Sequence, residues 1–250
     1  MIEGVIERVV EEHGTCVVCY SGGKDSTAAL AWCVEHLASQ MQVAAVLADT
    51  GLEPPESRAY VAEVSSLVGV DVVWCDEPYR YRDGSVVRDA FDVARRRGRF
   101  PRPDLCEWRA VLKRDRLRVW LRRQGFDRPV WVMGHRREEN AYREVLPYLR
   151  DEEKFVQRYG APVFCPLLDW SVGDVLWYLD ARGLPLHPAY GYGLDRVGCV
   201  GCVNSTVGSM ELYASLPGYR EILLRLYELE QEIGWTWGRR DSLGRWLEGG

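Results

Sequence analysis

Short runs dominated by apolar residues alternate along the chain with longer segments in which apolar residues recur every three or four positions. The short runs predict buried strands and cover residues 15–20, 43–48, 71–75, 130–133 and 162–167. The longer segments predict amphipathic helices and cover residues 2–12, 26–37, 57–68, 105–123, 172–179 and 217–233. Strands that alternate with helices predict an α/β fold, a doubly wound, mainly parallel five-stranded sheet flanked by helices.

The pattern changes after Pro185, where the chain becomes loop-like before one last helix and a tail rich in tryptophan and arginine. A chain of 250 residues is long enough for one large α/β domain with a modest appendage. We therefore expect residues 1–203 to form the α/β domain. Residues 204–250 are expected to be a helical extension packed on it.

The turn between the first predicted strand and the next helix carries the strongest chemical signal. It consists of Ser21, Gly22, Gly23, Lys24, Asp25 and Ser26. Glycines in such a turn let the backbone approach phosphate oxygens, and the start of the helix favours negative charge. Lys24 adds a positive charge, the serines add hydroxyl donors, and Asp25 can hold a divalent cation such as Mg²⁺ on the phosphates. The spacing is not the Walker pattern.

Ser-Gly-Gly-Lys-Asp-Ser after a strand resembles the PP-loop of the superfamily that contains ATP pyrophosphatases and phosphoadenosine phosphosulfate reductases. The resemblance implies that residues 21–26 bind the phosphates of ATP or a related adenine nucleotide, with Mg²⁺. A generic glycine turn capped by serine is the alternative. The position between a strand and a helix favours the nucleotide loop.

The segment after the second strand adds Asp49, Thr50 and Gly51 to the predicted nucleotide site. It resembles the Asp-Thr-Gly segment of the same family, which a Pro-Glu pair follows. Asp49 is expected to contribute to cation or nucleotide binding, and Gly51 to give clearance for the backbone. On its own, Asp-Thr-Gly is more often a plain turn.

The segment after the fourth strand resembles the superfamily pattern Gly-x-Arg-x-x-Glu-Ser followed by arginine. Gly134, Arg136, Glu139 and Arg143 match it, and Asn140 stands where serine is usual. Arg136 and Arg143 would bind phosphate or sulfate oxygens, with Glu139 holding one of them. A solvated charge cluster is the alternative. With Lys24 and Asp25, these two arginines are our predicted catalytic residues, and Gly134 joins the nucleotide site.

Eight cysteines in a chain without secretory features favour a metal or redox site. Cys199 and Cys202 have the spacing of half a metal site in a glycine-rich loop, and Cys106 begins a helix. Cys165 closes the fifth strand. These four are the predicted ligands of a [4Fe–4S] cluster, with a structural zinc ion as the alternative. The remaining cysteines, at 16, 19, 33 and 75, are predicted to be buried in the core.

Proteins similar to phosphoadenosine phosphosulfate reductase have a comparable order of motifs, which extends the resemblance to residues 15–203. Cys106 is followed by Lys113, then come Asp169 and Trp170, and the series ends in the Cys199–Cys202 loop. The resemblance implies an enzyme of sulfur metabolism. The preferred interpretation is an ATP pyrophosphatase that adenylates a substrate and transfers sulfur to it.

Two other functions stay open. One is reduction of adenylyl sulfate or its 3′-phosphate form, although the cysteine that those reductases carry near their C-terminus has no counterpart after Cys202. The other is a non-catalytic nucleotide-binding subunit with an iron–sulfur cluster. The expected partners are an adenine nucleotide, a sulfur-donor or electron-donor protein, and a sulfur acceptor that is a small molecule or a nucleic acid. A homodimer is a further possibility.

The net charge and the hydropathy of the chain exclude few of these functions. The net charge of −5 gives no general attraction to nucleic acid, although residues 95–102 form a dense arginine run. That run is a solvated loop, a lid over an anionic substrate, or a nucleic-acid contact. We predict a cytoplasmic protein without a membrane partner, because we see no spanning segment or secretory signal.

Overall fold

Strands and helices alternate in the computed structural model, which describes residues 2–238 and 242–248. The strands are β1 Thr15–Tyr20, β2 Gln42–Ala48, β3 Val72–Cys75, β4 Tyr79–Arg80, β5 Val86–Val87, β6 Pro129–Val132, β7 Leu149–Arg150 and β8 Val163–Phe164. The helices are α1 Ile2–Glu12, α2 Lys24–Leu37, α3 Ser57–Val68, α4 Ala90–Arg97, α5 Arg116–Arg123, α6 Ala141–Glu144, α7 Glu153–Tyr159, α8 Val172–Asp180, α9 Pro188–Gly191, α10 Val207–Ser215, α11 Pro217–Ile233 and α12 Gly244–Leu247. A π-helix, Arg109–Asp115, and a 3₁₀ helix, Arg137–Glu139, complete the set.

The chain forms two units, each with its own hydrophobic core. The first unit consists of residues 1–47, 58–75 and 118–187, and the second of residues 48–57, 76–117 and 188–250. This division does not follow the expected boundary between residues 203 and 204. The last two long helices share a core with α4 and the π-helix, because their apolar faces are buried against each other in the second unit.

A six-stranded sheet in the order β3-β2-β1-β6-β8-β7 organises the first unit. β1 runs parallel to both β2 and β6, and β6 runs parallel to β8, so the predicted α/β fold with a mainly parallel sheet is confirmed. The sixth strand, β7, is antiparallel to β8 at the edge. β7 consists of Leu149 and Arg150 and is followed by charged residues, so no apolar run marks it, whereas the equally short β8 lies within the apolar run 162–167.

The parallel register places the loops that follow β1, β6 and β8 at one edge of the sheet. Val18 lies beside Val132, and Val132 beside Phe164, so β6 and β8 end level with each other and β1 continues two residues further, to Tyr20. The backbone N–H of Met133 donates to the Phe164 carbonyl at 3.0 Å and continues the pairing past β6. Carboxyl ends of parallel strands are where ligands bind in open α/β sheets.

The second unit is mainly helical, with one short antiparallel hairpin of β4 and β5. The helix predicted over 105–123 contains the π-helix, in which the Arg116 N–H donates to the Val111 carbonyl five residues earlier. A 3.6-residue apolar period does not reveal such a bulge, and π-helical turns are frequent at functional sites. Within the described ranges, no helix is both long and apolar enough to span a bilayer.

Candidate functional sites

The loop after β1 is closed by its own hydroxyl groups. The Ser26 hydroxyl donates to the Gly23 carbonyl at 2.8 Å and accepts from the Ser21 N–H at 3.2 Å. Gly22 has a positive φ of 78°, and Gly23 is the N-cap of α2 without a side-chain cap bond. A fourteen-residue helix thus begins at a residue with no side chain to occupy its first N–H groups. An anion is the natural partner for them.

A chain of hydrogen-bonded hydroxyl groups supports the first turn of α2 on its buried side. Tyr20 and Thr27 are 3.0 Å apart at their oxygens, and Thr27 lies 3.1 Å from the Tyr60 hydroxyl. Tyr60 in turn donates to the Pro185 carbonyl at 3.0 Å. Sequence reasoning missed this support. Its only local signal is the polar residue at position 27, where the helix faces the core.

The segment after β6 approaches the loop so closely that Gly134 has no room for a side chain. A Cβ atom there would lie 2.6 Å from the backbone carbonyl carbon of Asp25 and 3.1 Å from the Ser26 nitrogen. Backbone atoms cannot move aside as a flexible side chain can. The predicted nucleotide-site residue Gly134 is therefore the point at which the structure brings the two segments together.

Arg136 extends from this segment to the loop. Its Nε donates to Asp25 Oδ1 at 2.6 Å, while Lys24 Nζ donates to Asp25 Oδ2 at 2.9 Å. Only 5% of the Arg136 side chain is exposed, and its other side pairs with Glu138. The structure thus joins three of the four predicted catalytic residues. Two cations face two carboxylates, so an incoming phosphate would exchange with a carboxylate at one of the cations.

The fourth predicted catalytic residue, Arg143, pairs with Glu139, as the sequence pattern suggested for one of the arginines. Glu139 also accepts the backbone N–H of Arg136 at 2.8 Å. Glu138, which sequence reasoning assigned no role, accepts from the Val172 N–H at the start of α8 at 2.7 Å as well as from Arg136. Two adjacent carboxylates thereby hold the two arginines.

Cys165 lies in the first unit and faces His135. Its sulfur is 3.8 Å from His135 Nδ1. Burial raises the pKa of the Cys165 thiol to about 12 and lowers the pKa of His135 to about 4, helped by the positive charges of Arg143 and Arg150. Near neutral pH this is a protonated thiol beside a neutral imidazole.

The structure assigns the Asp49–Gly51 segment to the second unit. Gly51 has a φ of 77°, and its N–H donates to Asp49 Oδ1 at 3.0 Å. Thr50 donates to Glu53 through both its N–H and its hydroxyl, at 3.0 and 2.6 Å. The segment is therefore an Asx turn closed by a buried carboxylate.

Arg116 supports this turn. It is 2% exposed, and its guanidinium donates to the backbone carbonyls of Leu112 at 3.1 Å, Arg88 at 2.8 Å and Asp49. Sequence reasoning missed Arg116. The available signal was its place four residues from both Leu112 and Trp120, on the apolar face of the predicted helix.

Three of the four predicted cysteine ligands lie in the second unit and share Lys113 as a neighbour. Negative charge at Cys199, Glu53, Cys202 and Cys106, named from the largest effect to the smallest, raises the pKa of the Lys113 ammonium. Burial raises the pKa of both Cys199 and Cys106. The thiols are therefore neutral until a metal or base removes their protons.

The Cys199–Cys202 turn has a defined conformation. The Cys202 N–H donates to the Cys199 carbonyl at 3.2 Å, and Cys199 Sγ lies 3.6 Å from the Thr50 hydroxyl. Gly201 has a φ of 67°, and its carbonyl accepts from Trp237 Nε1 at 2.8 Å. The turn is thus fixed against the core of its own unit.

Over residues 2–238 and 242–248, no group of three or more His, Cys, Asp or Glu side chains is arranged to hold a metal ion. The donor atoms of Cys106, Cys199 and Cys202 are of the type that iron–sulfur clusters and zinc use. Their arrangement is not that of a closed metal site. The predicted four-cysteine ligand set, including Cys165, stays a prediction.

The arginine run 95–102 is largely compensated by carboxylates. The pairs are Arg95 with Glu232 at 2.9 Å, Arg96 with Asp83 at 2.6 Å, Arg102 with Asp104 at 3.1 Å, and Arg99 with Glu107. Arg95, Arg96 and Arg97 form the last turn of α4, so the expected loop begins only after them. The ion pairs favour a charge-compensated surface over a lid or a nucleic-acid contact.

A family model described as the phosphoadenosine phosphosulfate reductase domain matches residues 15–205. The chain belongs to this family. The match confirms the resemblance drawn from the loop and from the later motifs.

Among curated relatives, an uncharacterized 37.8 kDa protein of Escherichia phage 186 is 26% identical over 90% of this chain and 77% of its own length. An adenosine 5′-phosphosulfate reductase of Neisseria meningitidis is 30% identical over 50% of each chain. A phosphoadenosine 5′-phosphosulfate reductase of Aliivibrio salmonicida is 33% identical over 42% of this chain and 36% of its own. The chain thus spans only half or less of the reductases named here.

Two solved structures share the fold. A phosphoadenylyl-sulfate reductase from Candida auris, in a phosphate complex, aligns with a TM-score of 0.55 at 16% identity, over 82% of this chain and 89% of that one. A U34-tRNA thiolase from Methanococcus maripaludis, solved with its [4Fe–4S] cluster, aligns with a TM-score of 0.50 at 16% identity, over 97% and 73%. The named reductase relatives and both neighbours are enzymes.

Proposed function

We propose that the protein is a PP-loop enzyme that binds an adenine nucleotide on residues 21–26 and uses it in sulfur transfer. The observation that carries the proposal is the arrangement of Lys24, Asp25 and Arg136 around the start of α2. Cations beside a glycine-rich helix start suit a polyphosphate, and Asp25 suits the Mg²⁺ that accompanies it. Arg143 would bind a further anionic group of the substrate.

The proposed reaction has two steps. A substrate oxygen attacks the α-phosphorus of ATP, and the bond to the β-phosphate breaks so that pyrophosphate leaves with its electron pair. A sulfur nucleophile then attacks the adenylated carbon, and the carbon–oxygen bond breaks to release AMP. Lys24 and Arg136 would stabilise the charge that develops on the phosphates in the first step.

We further propose that Cys106, Cys199 and Cys202 hold an iron–sulfur cluster, with zinc as the alternative. The spacing of the last two and the common neighbour Lys113 support this assignment. When bound, such a cluster would bind sulfide and deliver it as the sulfur nucleophile. Lys113 would offset the negative charge of the thiolates. A sulfur-donor or electron-donor protein is the expected partner.

Reduction of a sulfonucleotide is the second candidate, favoured by the names of the meningococcal and Aliivibrio relatives. In that reaction the sulfur–oxygen bond to the nucleotide breaks, sulfite and a nucleoside phosphate leave, and a dithiol supplies two electrons. Arg136 and Arg143 would then bind sulfate oxygens.

Product analysis separates these candidates. The anaerobically purified protein is incubated with ATP and Mg²⁺, or with adenylyl sulfate and a dithiol. Pyrophosphate and AMP that require a sulfur acceptor support the proposed function, whereas sulfite supports the second candidate. Lys24→Ala should abolish either product. Binding of nucleotide without turnover under all conditions would instead support a non-catalytic subunit.

Metal analysis tests the cysteine site separately. We expect about four iron and four sulfide per chain in the anaerobic protein, as a [4Fe–4S] cluster requires. Cys199→Ala should remove them, and Cys33→Ala, in the helix α2 and in contact with Cys16, serves as the matched control. Iron unchanged in Cys165→Ala means that three cysteines suffice. A colourless, zinc-containing protein would overturn the cluster assignment.

A further inference from the structure

A row of alternating aromatic and arginine side chains runs along the first unit from α6 to the end of α7. Arg150 Nη1 donates to the Tyr142 hydroxyl at 3.1 Å, and its guanidinium lies 3.8 Å above the ring of Phe155. Phe155 stacks on Tyr159 with ring centroids 4.3 Å apart, and Arg158 lies 5.8 Å from the Tyr159 ring. These contacts hold the five side chains in a fixed order.

The row ends in an aromatic side chain that is open to solvent. Tyr142 is 62% exposed although its hydroxyl is held by Arg150, and nearby Val145 is 77% exposed. Leaving this apolar area in water has a free-energy cost of roughly 25 cal/mol per Å². The segment that carries Tyr142 also carries Arg136 and Arg143, the predicted anion-binding arginines. An exposed ring whose hydroxyl is held in place by a hydrogen bond is suited to stack on a flat ligand.

Arginine side chains of α5 continue the row of aromatic and arginine side chains. Arg118 Nη1 donates to the Gln157 carbonyl of α7 at 3.4 Å, which places the exposed Arg122, one turn further along α5, on the same side as Arg118. α7 has its acidic residue Glu153 in the first turn and Arg158 in the last. Within the described part of the chain, Arg118, Arg122 and Arg158 have no carboxylate at ion-pair distance.

This pattern differs from the arginine run 95–102, in which four arginines are paired with carboxylates. Paired arginines attract a polyanion weakly, because the nearby carboxylates cancel their field and repel phosphate. Among the described residues, Arg118, Arg122 and Arg158 lack such carboxylate partners, so their field is not cancelled in this way.

We propose that Tyr142, the aromatic row and the arginines of α5 and α7 form a docking surface for single-stranded nucleic acid. An unpaired base stacks on Tyr142, and the backbone phosphates contact Arg158 and Arg122. Aromatic rings that accept bases beside cations that follow the backbone are the general mode of single-strand recognition. The inference deepens the proposed function and rests on it in one respect: it names a nucleic acid as the class of sulfur acceptor.

The test is a direct binding measurement on the full chain without nucleotide. Fluorescence anisotropy is recorded with labelled single-stranded RNA and DNA of about 16 nucleotides, and with a duplex, at salt concentrations from about 50 to 200 mM. We expect binding to single strands that exceeds binding to the duplex. The affinity should fall with salt, because each phosphate contact releases condensed cations.

Two variants separate stacking from charge. Tyr142→Ala should weaken single-strand binding about tenfold without changing its salt dependence, since it removes one stacked base. Arg122→Gln with Arg158→Gln should reduce the slope of log affinity against log salt by about 1.4, the value for two lost contacts on a single strand. Arg95→Gln with Arg102→Gln, which are paired with Glu232 and Asp104, is the matched control and should change neither quantity.

Three results would overturn the proposal: no oligonucleotide binding at low salt, equal effects of the α5–α7 variants and the control, or equally tight binding of polyglutamate, which would indicate an acidic protein partner. Failure of the proposed function is distinguishable. It would show as oligonucleotide binding that responds to Tyr142→Ala in a protein that forms no pyrophosphate and binds no nucleotide. Pyrophosphate formation without oligonucleotide binding would overturn the proposed docking surface but not the proposed function.

Discussion

The two candidate sites compensate charge in opposite ways. In the first unit, Lys24 and Arg136 are paired with the carboxylates of Asp25 and Glu138. In the second unit, Lys113 is surrounded by cysteine thiols and by Glu53, and burial raises the pKa of Cys199, Cys106 and that carboxyl. The charges of one site are permanent, whereas the negative charge of the other depends on proton loss.

This difference in charge compensation indicates which kind of ligand each site selects. Guanidinium and carboxylate groups stay ionised near neutral pH, so the first site gains an anion only by exchanging a carboxylate for a phosphate. Buried thiols become anions when a metal replaces their protons, and a nearby ammonium then stabilises them. The first arrangement suits reversible nucleotide binding, and the second suits a metal or sulfur species that stays bound.

The largest expected effect comes from removing a permanent charge at the first site. Arg136→Ala leaves Asp25 and Glu138 without their common partner, so the rate of pyrophosphate formation should fall by about 10² to 10³. The measurement is the steady-state rate with ATP and Mg²⁺. Arg182→Ala, which breaks an exposed pair with Glu35 in the same unit, is the control and should change the rate less than about twofold. Equal effects would remove the basis for assigning Arg136 to the site.

At the second site, Lys113→Met should act on stability. The variant leaves Glu53 buried without the cation that lowers its pKa, and we expect a loss of about 3 kcal/mol in the free energy of unfolding. Urea titration measures it. The double variant with Glu53→Gln should recover part of the loss, because no uncompensated carboxylate remains. Additive losses would mean that the two groups do not interact.

Glycine substitutions compare the backbones of the two sites. Gly134→Ala places a Cβ against the Asp25 backbone, which cannot move, and should cost about 2 kcal/mol and weaken nucleotide binding. Gly201→Ala places a Cβ 2.5 Å from Leu226 Cδ1 and 3.1 Å from Leu223 Cδ2. These are the ends of flexible side chains that can shift, so the substitution should cost about 1 kcal/mol, mainly because of its positive φ. Thermal unfolding measures both.

Gly4→Ala is the control for these two substitutions, since nothing lies within 4 Å of the added atom and the site is helical. It should leave stability unchanged or raise it slightly. A smaller loss for Gly134→Ala than for Gly201→Ala would contradict the view that the first site depends on the closer backbone contact.

The smallest effect concerns acid stability at the rim of the first unit. Hydrogen bonds from Tyr148 and Arg137 lower the pKa of Asp169, so its contribution is present above the unfolded pKa near 3.8 and is lost as the pH falls through the lower folded value. The side chain is 58% exposed, so we expect no more than about 0.5 kcal/mol. Asp169→Asn should remove this dependence in unfolding curves recorded below about pH 4.

Local patterns predicted much of the fold. The apolar runs located five of the six sheet strands, and the glycine-rich turn located the start of α2. The pattern did not predict the strand β7, because β7 lies in no apolar run. It did not predict the π-helix either, because a bulge of one residue does not interrupt an apolar face.

Residues of the candidate sites could be predicted only where they belong to a recognisable sequence motif. Lys24, Asp25 and Arg136 came from two motifs after strand ends, and parallel strands bring such ends together. Glu138, Glu53 and Arg116 were missed, because a charged residue in a polar segment or on a helix face gives no local sign of its distant partner. Arg116 is held by carbonyl groups as far along the chain as residue 49.

By itself, the sequence determined the α/β fold, the family and the chemical type of each group: a phosphate loop, two arginines and a pair of cysteines in a turn. Periodicity and motifs are local properties of the sequence, so these features can be predicted without knowledge of tertiary contacts. Only the tertiary structure decided which charges are compensated. It paired four arginines of the run 95–102 with carboxylates, placed Arg158 at the end of a row of side chains that begins at the exposed Tyr142, and placed three cysteines around Lys113. Ion pairs and burial depend on residues that are far apart in the chain. Together they determine the electrostatic field at each site.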